Sequence, residues 1–414
     1  MARLGLFEPA PRLAAGVSGG ADSMALALLA DGWARERGGS LLALIVDHGL
    51  RAASVREAEA TATRLAERGI ATRRLAIEGL ALGPALAERA RTARLHAMEV
   101  ACAAAGIVHL LLGHHAADQA ETILIRALGG SGEAGLAGMA PLREMSRVRI
   151  LRPLLAMPPR LLRSVLEEAG VGWVDDPSNV DRAALRPRLR LLRRDRGGEG
   201  AATAALVAAA ETAARHRAAQ EGHLATVLAQ QAILRPEGFA LLGQQAMDAG
   251  ALAALLQAVS GSPFPPASAS LKRLAASPVP ATLAGARLLP AGRLGDGLLL
   301  VREAAAMAPP VPATSGAVWD RRFRLGRVTV PANATLGALG ADASRLRRNS
   351  PLPSAVLQTL PALRVGGMLL AVPHLFYPDR KVCEYLPVLF SPPRPVAAAP
   401  FGFWGCTKRG DTLC

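Results

Sequence analysis

The stretch Gly16-Val17-Ser18-Gly19-Gly20-Ala21-Asp22-Ser23 constrains this chain more than any other. Before it, Leu13 to Val17 reads as a short buried strand; after it, Met24, Leu26, Leu28 and Leu29 mix with alanines in a helical pattern. The loop therefore joins a strand to a helix N-terminus. Its two glycines let backbone approach a ligand closely, the first-turn N–H groups lack intrahelical partners, and Ser18 and Ser23 add hydroxyls. Together these features suit a bound anion, most simply phosphate. The alternative is a tight turn in which Asp22 caps the helix.

The common nucleotide loop, Gly-x-x-x-x-Gly-Lys-Ser/Thr, needs a lysine, and none occurs before Lys272. The Ser18–Ser23 stretch instead resembles the PP-loop of the ATP pyrophosphatase superfamily. That resemblance implies that Ser18, Gly19, Gly20, Ala21, Asp22 and Ser23 bind ATP and cradle the pyrophosphate lost on cleavage between the α and β phosphates. The implied chemistry is AMP transfer, not a kinase reaction.

Further strands are expected at Leu41 to Val46, Ala71 to Ile77 and Val108 to Leu112, with helices from about Val55 to Arg68 and from Pro84 to Gly106. Strand and helix alternate four times, which predicts an α/β fold with a parallel, doubly wound sheet covered on both faces. Ligands gather at the carboxyl ends of such strands. The PP-loop, Asp47-His48 and the segment Gly113-His114-His115-Ala116-Ala117-Asp118-Gln119-Ala120-Glu121-Thr122 all fall at those ends. Asp47 and His48 are candidate nucleotide contacts, or simply a turn.

Asp118 and Glu121, at i and i+3 in the first turns of a helix, share one face. With Asp22 they are candidate catalytic acids and candidate ligands of Mg²⁺, which takes one or two carboxylates together with nucleotide phosphates. The competing explanation is that acids favour helix N-termini anyway. Adjacent histidines on a helix diverge by ~100°, so His114 and His115 suit a polar contact to nucleotide or RNA, or a satisfied core position, better than one shared metal. Seven arginines between Arg182 and Arg196, opposed only by Asp195, repel one another unless an anion is close. Arg186, Arg188 and Arg190 are accordingly candidate contacts to phosphate or an RNA backbone. The Gly129–Gly135 run is a candidate lid or a plain connector.

The chain has 414 residues, enough for several cores, and Lys+Arg exceed Asp+Glu by 48 to 33, a net charge of +15 that favours a nucleic-acid partner. Expected divisions are a catalytic domain at 1–198, a helical or mixed linker domain at 199–307 that would contact the nucleic-acid partner, a small α+β domain at 308–390 and a loose tail at 391–414. Ala201 to Leu234 reads as one long helix, and Ala281 to Arg302 as strands or a hairpin. Four cysteines form no Cys-x-x-Cys pair, so neither a disulfide framework nor a cysteine zinc site is indicated. No apolar run reaches the ~18 residues of a membrane span, and no leader precedes the loop, so no membrane partner and a cytoplasmic location are expected. A homodimer stays open.

Ser18 to Ser23, Val46 to Arg51, Gly113 to Thr122, Gly130 to Leu136, Arg152-Pro153-Leu154-Leu155 and Asp176 to Asn179 together resemble the bacterial tRNA(Ile)-lysidine synthase family, over roughly the first 195 residues. The resemblance implies an adenine nucleotide hydrolase-like fold. It also implies ATP-dependent ligation of free L-lysine to the first anticodon cytidine of a CAU-bearing tRNA(Ile), through an adenylated base. Two positions depart from the family. Ala117 stands where its His-His-x-Asp-Asp-Gln pattern has the first acid, and Pro187 interrupts its Arg-Asn-x-Ile-Arg segment. A tRNA thiolase of the same superfamily and a catalytically inactive tRNA-binding protein remain the alternatives.

Overall fold

The structure is a computed structural model describing residues 1, 4–47, 52–77, 83, 86–145, 147–174, 185–192, 195 and 198–397. His48, Asp176 to Asn179, Arg182, Arg193, Arg194, Arg196 and the tail from 398 onward lie outside the described residues. The chain forms two compact units, Met1–Ala219 and Gln220–Ala398.

The first unit holds a six-stranded sheet. Its strands are β1 (Arg12–Val17), β2 (Ser40–Asp47), β3 (Ala71–Ala76), β4 (His109–Leu112), β5 (Leu142–Glu144) and β6 (Arg149–Leu151). They lie in the order β3-β2-β1-β4-β6-β5, parallel throughout except for the antiparallel edge strand β5. The helices are α1 (Ala21–Arg35), α2 (Ala52–Ala66), α3 (Leu86–Ala105), α4 (Ala116–Leu128), α5 (Glu133–Leu136), α6 (Pro159–Glu168) and α7 (Leu185–Leu192), and α8 (Ala201–Gln231) continues past Ala219 into the second unit. The α/β, doubly wound expectation is met.

Why β1 reads as a continuous apolar run follows from its central place. Leu13, Ala15 and Val17 pack into a layer with Leu26 and Ala30 of α1 and Leu162 and Leu166 of α6. Ala14 faces the opposite layer with Met98 and Cys102 of α3. A strand buried on both faces cannot alternate polar and apolar residues. Because β2 and β4 flank β1 on opposite sides, the winding reverses there, and the crevice at the carboxyl ends of β1 and β4 is the expected binding edge.

Two local expectations change. The helix expected to Leu234 stops at Gln231, and Ala232–Leu234 becomes β7, pairing antiparallel with β8 (Ala240–Leu242). Alanine-rich sequence carries no periodicity to mark that switch; the strand pairing decides it. The Gly-rich run contains α5, and its exit is pinned to α4. Arg126 Nη1 donates to the carbonyls of Gly135 at 2.8 Å and Gly138 at 2.6 Å. Gln119 exchanges two hydrogen bonds with the Met139 backbone, at 3.0 and 2.7 Å.

The second unit contains β7, β8, helices α9 (Ala249–Ser260) and α10 (Ser268–Ala276), and strands β9 (Ala281–Leu283), β10 (Ala286–Pro290) and β11 (Leu298–Arg302). These strands form an antiparallel sheet in the order β7-β8-β11-β10-β9. Leu298 and Leu300 pack with Leu252 and Leu256 of α9, whereas Leu299 and Val301 face a cluster containing Val356 and Leu360. Beyond it stand a four-stranded and a three-stranded sheet. Buried Asp320 accepts from Arg302 Nε and Nη2, both at 3.0 Å, from Arg322 Nε at 2.8 Å and from the Ala308 N–H at 3.0 Å. Burial works against its charge, but these donors outweigh it and hold the carboxyl below its ordinary range.

Candidate active site

The loop between β1 and α1 is closed by its own hydroxyls. The Ser18 N–H donates to Ser23 Oγ at 3.1 Å, and Ser23 Oγ donates to the Gly20 carbonyl at 3.0 Å. With that proton committed, the 3.2 Å contact between the two hydroxyls takes Ser18 as donor and leaves the Ser18 oxygen as an acceptor. The Val174 N–H donates to the Gly19 carbonyl at 2.9 Å, bracing the loop from outside. Gly19 sits at φ +86°, and a Cβ there would lie 2.5 Å from Thr61 Oγ1, so both backbone and space require glycine.

The capping alternative for Asp22 does not hold. Gly20 is the N-cap of α1 and no side chain caps it. Asp22 instead reaches the β4–α4 turn, where Gly113 makes the approach possible: a Cβ at Gly113 would stand 3.1 Å from the Asp22 carbonyl oxygen.

His115 is the N-cap residue of α4, and its N–H donates to Asp118 Oδ2 at 3.1 Å. Its Nε2 lies 3.4 Å from Asp22 Oδ2 and 3.6 Å from Asp118 Oδ2, so the imidazole bridges the PP-loop helix and α4. Burial opposes its charge, but the bond to Asp22 and the carboxylates of Asp118, Asp22 and Glu121 raise its pKa above the ordinary value. His114 behaves oppositely. Burial first, then the Arg152 guanidinium, pushes its pKa down to about 3, so it is neutral near pH 7.

Helix α7 supplies the counter-charges to the acids of α4. Arg190 Nε donates to Glu121 Oε1 at 2.6 Å and its Nη2 to Oε2 at 3.5 Å, while Arg186 Nη1 lies 3.6 Å from Asp118 Oδ1 and 3.7 Å from Glu121 Oε2. Glu121 is fully buried, and an acid there persists because it is paired. Pro187 does not break the segment: α7 begins at Leu185, so the proline falls in the first turn, where its missing N–H costs no helical bond.

Asp22, His114, His115, Asp118, Glu121, Arg186 and Arg190 are thus brought together beside the loop formed by Ser18, Gly19, Gly20, Ala21 and Ser23. Asp47 ends β2, on the neighbouring strand of the same edge. Arg188 is exposed. Ala117 is buried, and a Cβ on Gly198 would lie 2.3 Å from its Cβ, so it is position 198 that must stay without a side chain. Thr61 and Arg126 carried no signal in the sequence; their roles arise only from packing.

Among the described residues, no group of three or more His, Cys, Asp or Glu side chains could hold a metal ion by protein ligands alone. No described helix is long and apolar enough to cross a membrane.

The family profile of the PP-loop domain matches residues 3–194. A tRNA(Ile)-lysidine synthase of Bradyrhizobium diazoefficiens is 42% identical over 52% of this chain, and the match spans 60% of that relative, less than two thirds of its length. Relatives of the same name from Mesorhizobium japonicum and Ruegeria pomeroyi are 37% and 32% identical, over 80% and 88% of this chain and 76% and 89% of their own lengths. The chain belongs to the tRNA(Ile)-lysidine synthase family.

Proposed function

We propose that the chain joins L-lysine to the first anticodon cytidine of a CAU-bearing tRNA(Ile), with cleavage of ATP to AMP and pyrophosphate, in the cytoplasm. The base oxygen attacks the α-phosphorus as the bond to the β-phosphate breaks. The lysine side-chain amine then attacks the activated ring carbon, AMP departs with that oxygen, and the amine loses a proton. Activation is needed because the base oxygen is a poor leaving group until phosphate takes up its charge.

The first-turn N–H groups of α1 suit the departing pyrophosphate. Asp118, held by the His115 N–H, is placed to take the proton that the lysine ammonium must lose. Arg186 and Arg190 pair with Glu121 and so fix the α4 face that carries Asp118. For Mg²⁺, Asp22 fits as a ligand because its side chain is 39% exposed, with Asp118 as second donor; Glu121 fits poorly, since both its oxygens accept from Arg190. Held there, the cation would supply charge neutralisation to the phosphates.

The observation that carries this function is the bridge from Asp22 through His115 to Asp118 in a chain of this family. The thiolase alternative lacks comparable support: Cys102 is buried in α3, and burial pushes its thiol up to about 11. The test incubates purified protein with ATP, Mg²⁺, labelled lysine and CAU-anticodon tRNA(Ile), with a methionine tRNA as control. Label on the isoleucine tRNA alone is expected, and Asp118→Asn is expected to abolish it while tRNA affinity stays nearly intact. ATP binding without any label on that tRNA would overturn the assignment.

A further inference from the structure

Gly198 is buried at φ +68° and touches the helix that carries the candidate acids. A Cβ there would stand 2.3 Å from the Ala117 Cβ, 3.4 Å from the Ala117 Cα and 3.7 Å from Pro159 Cδ. Ala117 has no rotamer that could yield, so a side chain at 198 has to push the backbone of α4 or of its own turn. Glycine is thus required both by the left-handed backbone and by the contact.

The turn that presents Gly198 is closed by Asp195. Its Oδ1 accepts from the Glu199 N–H and its Oδ2 from the Gly200 N–H, both at 2.9 Å. Oδ2 accepts again from Thr203 Oγ1 at the start of α8, and the Gly198 N–H donates to the Asp195 carbonyl at 3.3 Å. Glu199 Oε2 lies 3.2 Å from Arg160 Nε of α6. Across the contact, each residue in the first turn of α4 has its own hold. The Ala116 N–H donates to the Met157 carbonyl at 3.1 Å, the Ala117 methyl packs on Gly198, and Asp118 accepts from the His115 N–H at 3.1 Å. The middle hold comes from a turn that contains none of the candidate acids.

We propose that Gly198 is a positioning residue for the reaction: its bare backbone lets the 195–200 turn seat flush on the first turn of α4, and that seat sets where Asp118 stands relative to Asp22. This rests on the function proposed above and adds a residue that acts through Ala117 without touching substrate. Gly198→Ala is expected to lower kcat roughly tenfold or more, because small displacements of reacting groups are costly. KM for ATP and for tRNA should stay within about twofold, since the PP-loop and the substrate contacts are left in place. Adding Ala117→Gly removes the colliding methyl but not the φ penalty at 198. In the double variant kcat should therefore recover while the unfolding midpoint stays below wild type, a separation that a purely structural role would not produce. Hydrogen exchange of the His115 amide, bonded to Asp118, reads the first turn without turnover: it should quicken in Gly198→Ala and slow again in the double variant. If Gly198→Ala does not accumulate as folded protein, Asp195→Asn loosens the same turn without inserting an atom and carries the same kcat and exchange readouts. Unchanged kcat and unchanged His115 exchange in these variants would overturn the proposal, as would a kcat that stays low in the double variant. Absence of lysine transfer in the wild type would strike the enzymatic assignment instead, and the exchange measurement would still decide whether Gly198 seats α4.

Discussion

At Gly19 the ligand loop depends on the absence of a side chain. The backbone is at φ +86°, and the space a Cβ would take belongs to Thr61 Oγ1, which donates to the Glu57 carbonyl at 2.7 Å. Gly19→Ala is expected to destabilise the protein by about 1 kcal/mol or more through the backbone term and to lower ATP affinity about tenfold. Urea unfolding and an ATP titration measure the two. Adding Thr61→Ala removes the clash but not the φ penalty, so it should recover part of the loss; full recovery would show that sterics alone select glycine there. The glycine was legible in the sequence because the motif demands close backbone approach. Thr61 was not, since only folding brings α2 against that loop.

At the level of elements, the site is a meeting of α4 with α7. The i, i+3 spacing of Asp118 and Glu121 announces a shared face, and Arg186 and Arg190 at i, i+4 announce another. What each face meets is a tertiary matter. The arginines suggested phosphate or RNA because like charges in sequence need some anion, and in the fold two of them find carboxylates of the same chain. Removing one partner of a buried pair leaves the other charge uncompensated. Arg190→Met is expected to destabilise the first unit by on the order of 3 kcal/mol, and Glu121→Gln in the same chain to restore much of that. Thermal unfolding of the two single variants and the double variant supplies the cycle, and additive losses would mean that the pair is not coupled.

Across the whole molecule the dominant quantity is charge. With the tRNA substrate proposed above, a net charge of +15 would make tRNA affinity depend on counterion release, whereas ATP binding at the PP-loop would depend mostly on fixed backbone donors. Between about 50 and 200 mM salt, tRNA affinity is expected to fall at least roughly tenfold, with a much smaller change for ATP. Filter binding of tRNA and calorimetry of ATP at matched salt would show it; equal salt dependence would remove electrostatics from substrate choice.

Alternation of apolar runs with helical segments was enough to specify the parallel sheet and the edge that carries the candidate site, because strands buried on both faces must be apolar and ligands gather where they end. The PP-loop, the paired acids and the basic character were legible for the same reason: each is a local pattern. Three features were settled only in three dimensions. The helix ending at Gln231 yields to a strand because β8 offers a partner, β11 is buried on both faces because two different clusters close over it, and Asp22 joins Asp118 because His115 caps α4 beside the loop. In each case the deciding contact links residues far apart along the chain, and no spacing rule records which distant surface a side chain will meet.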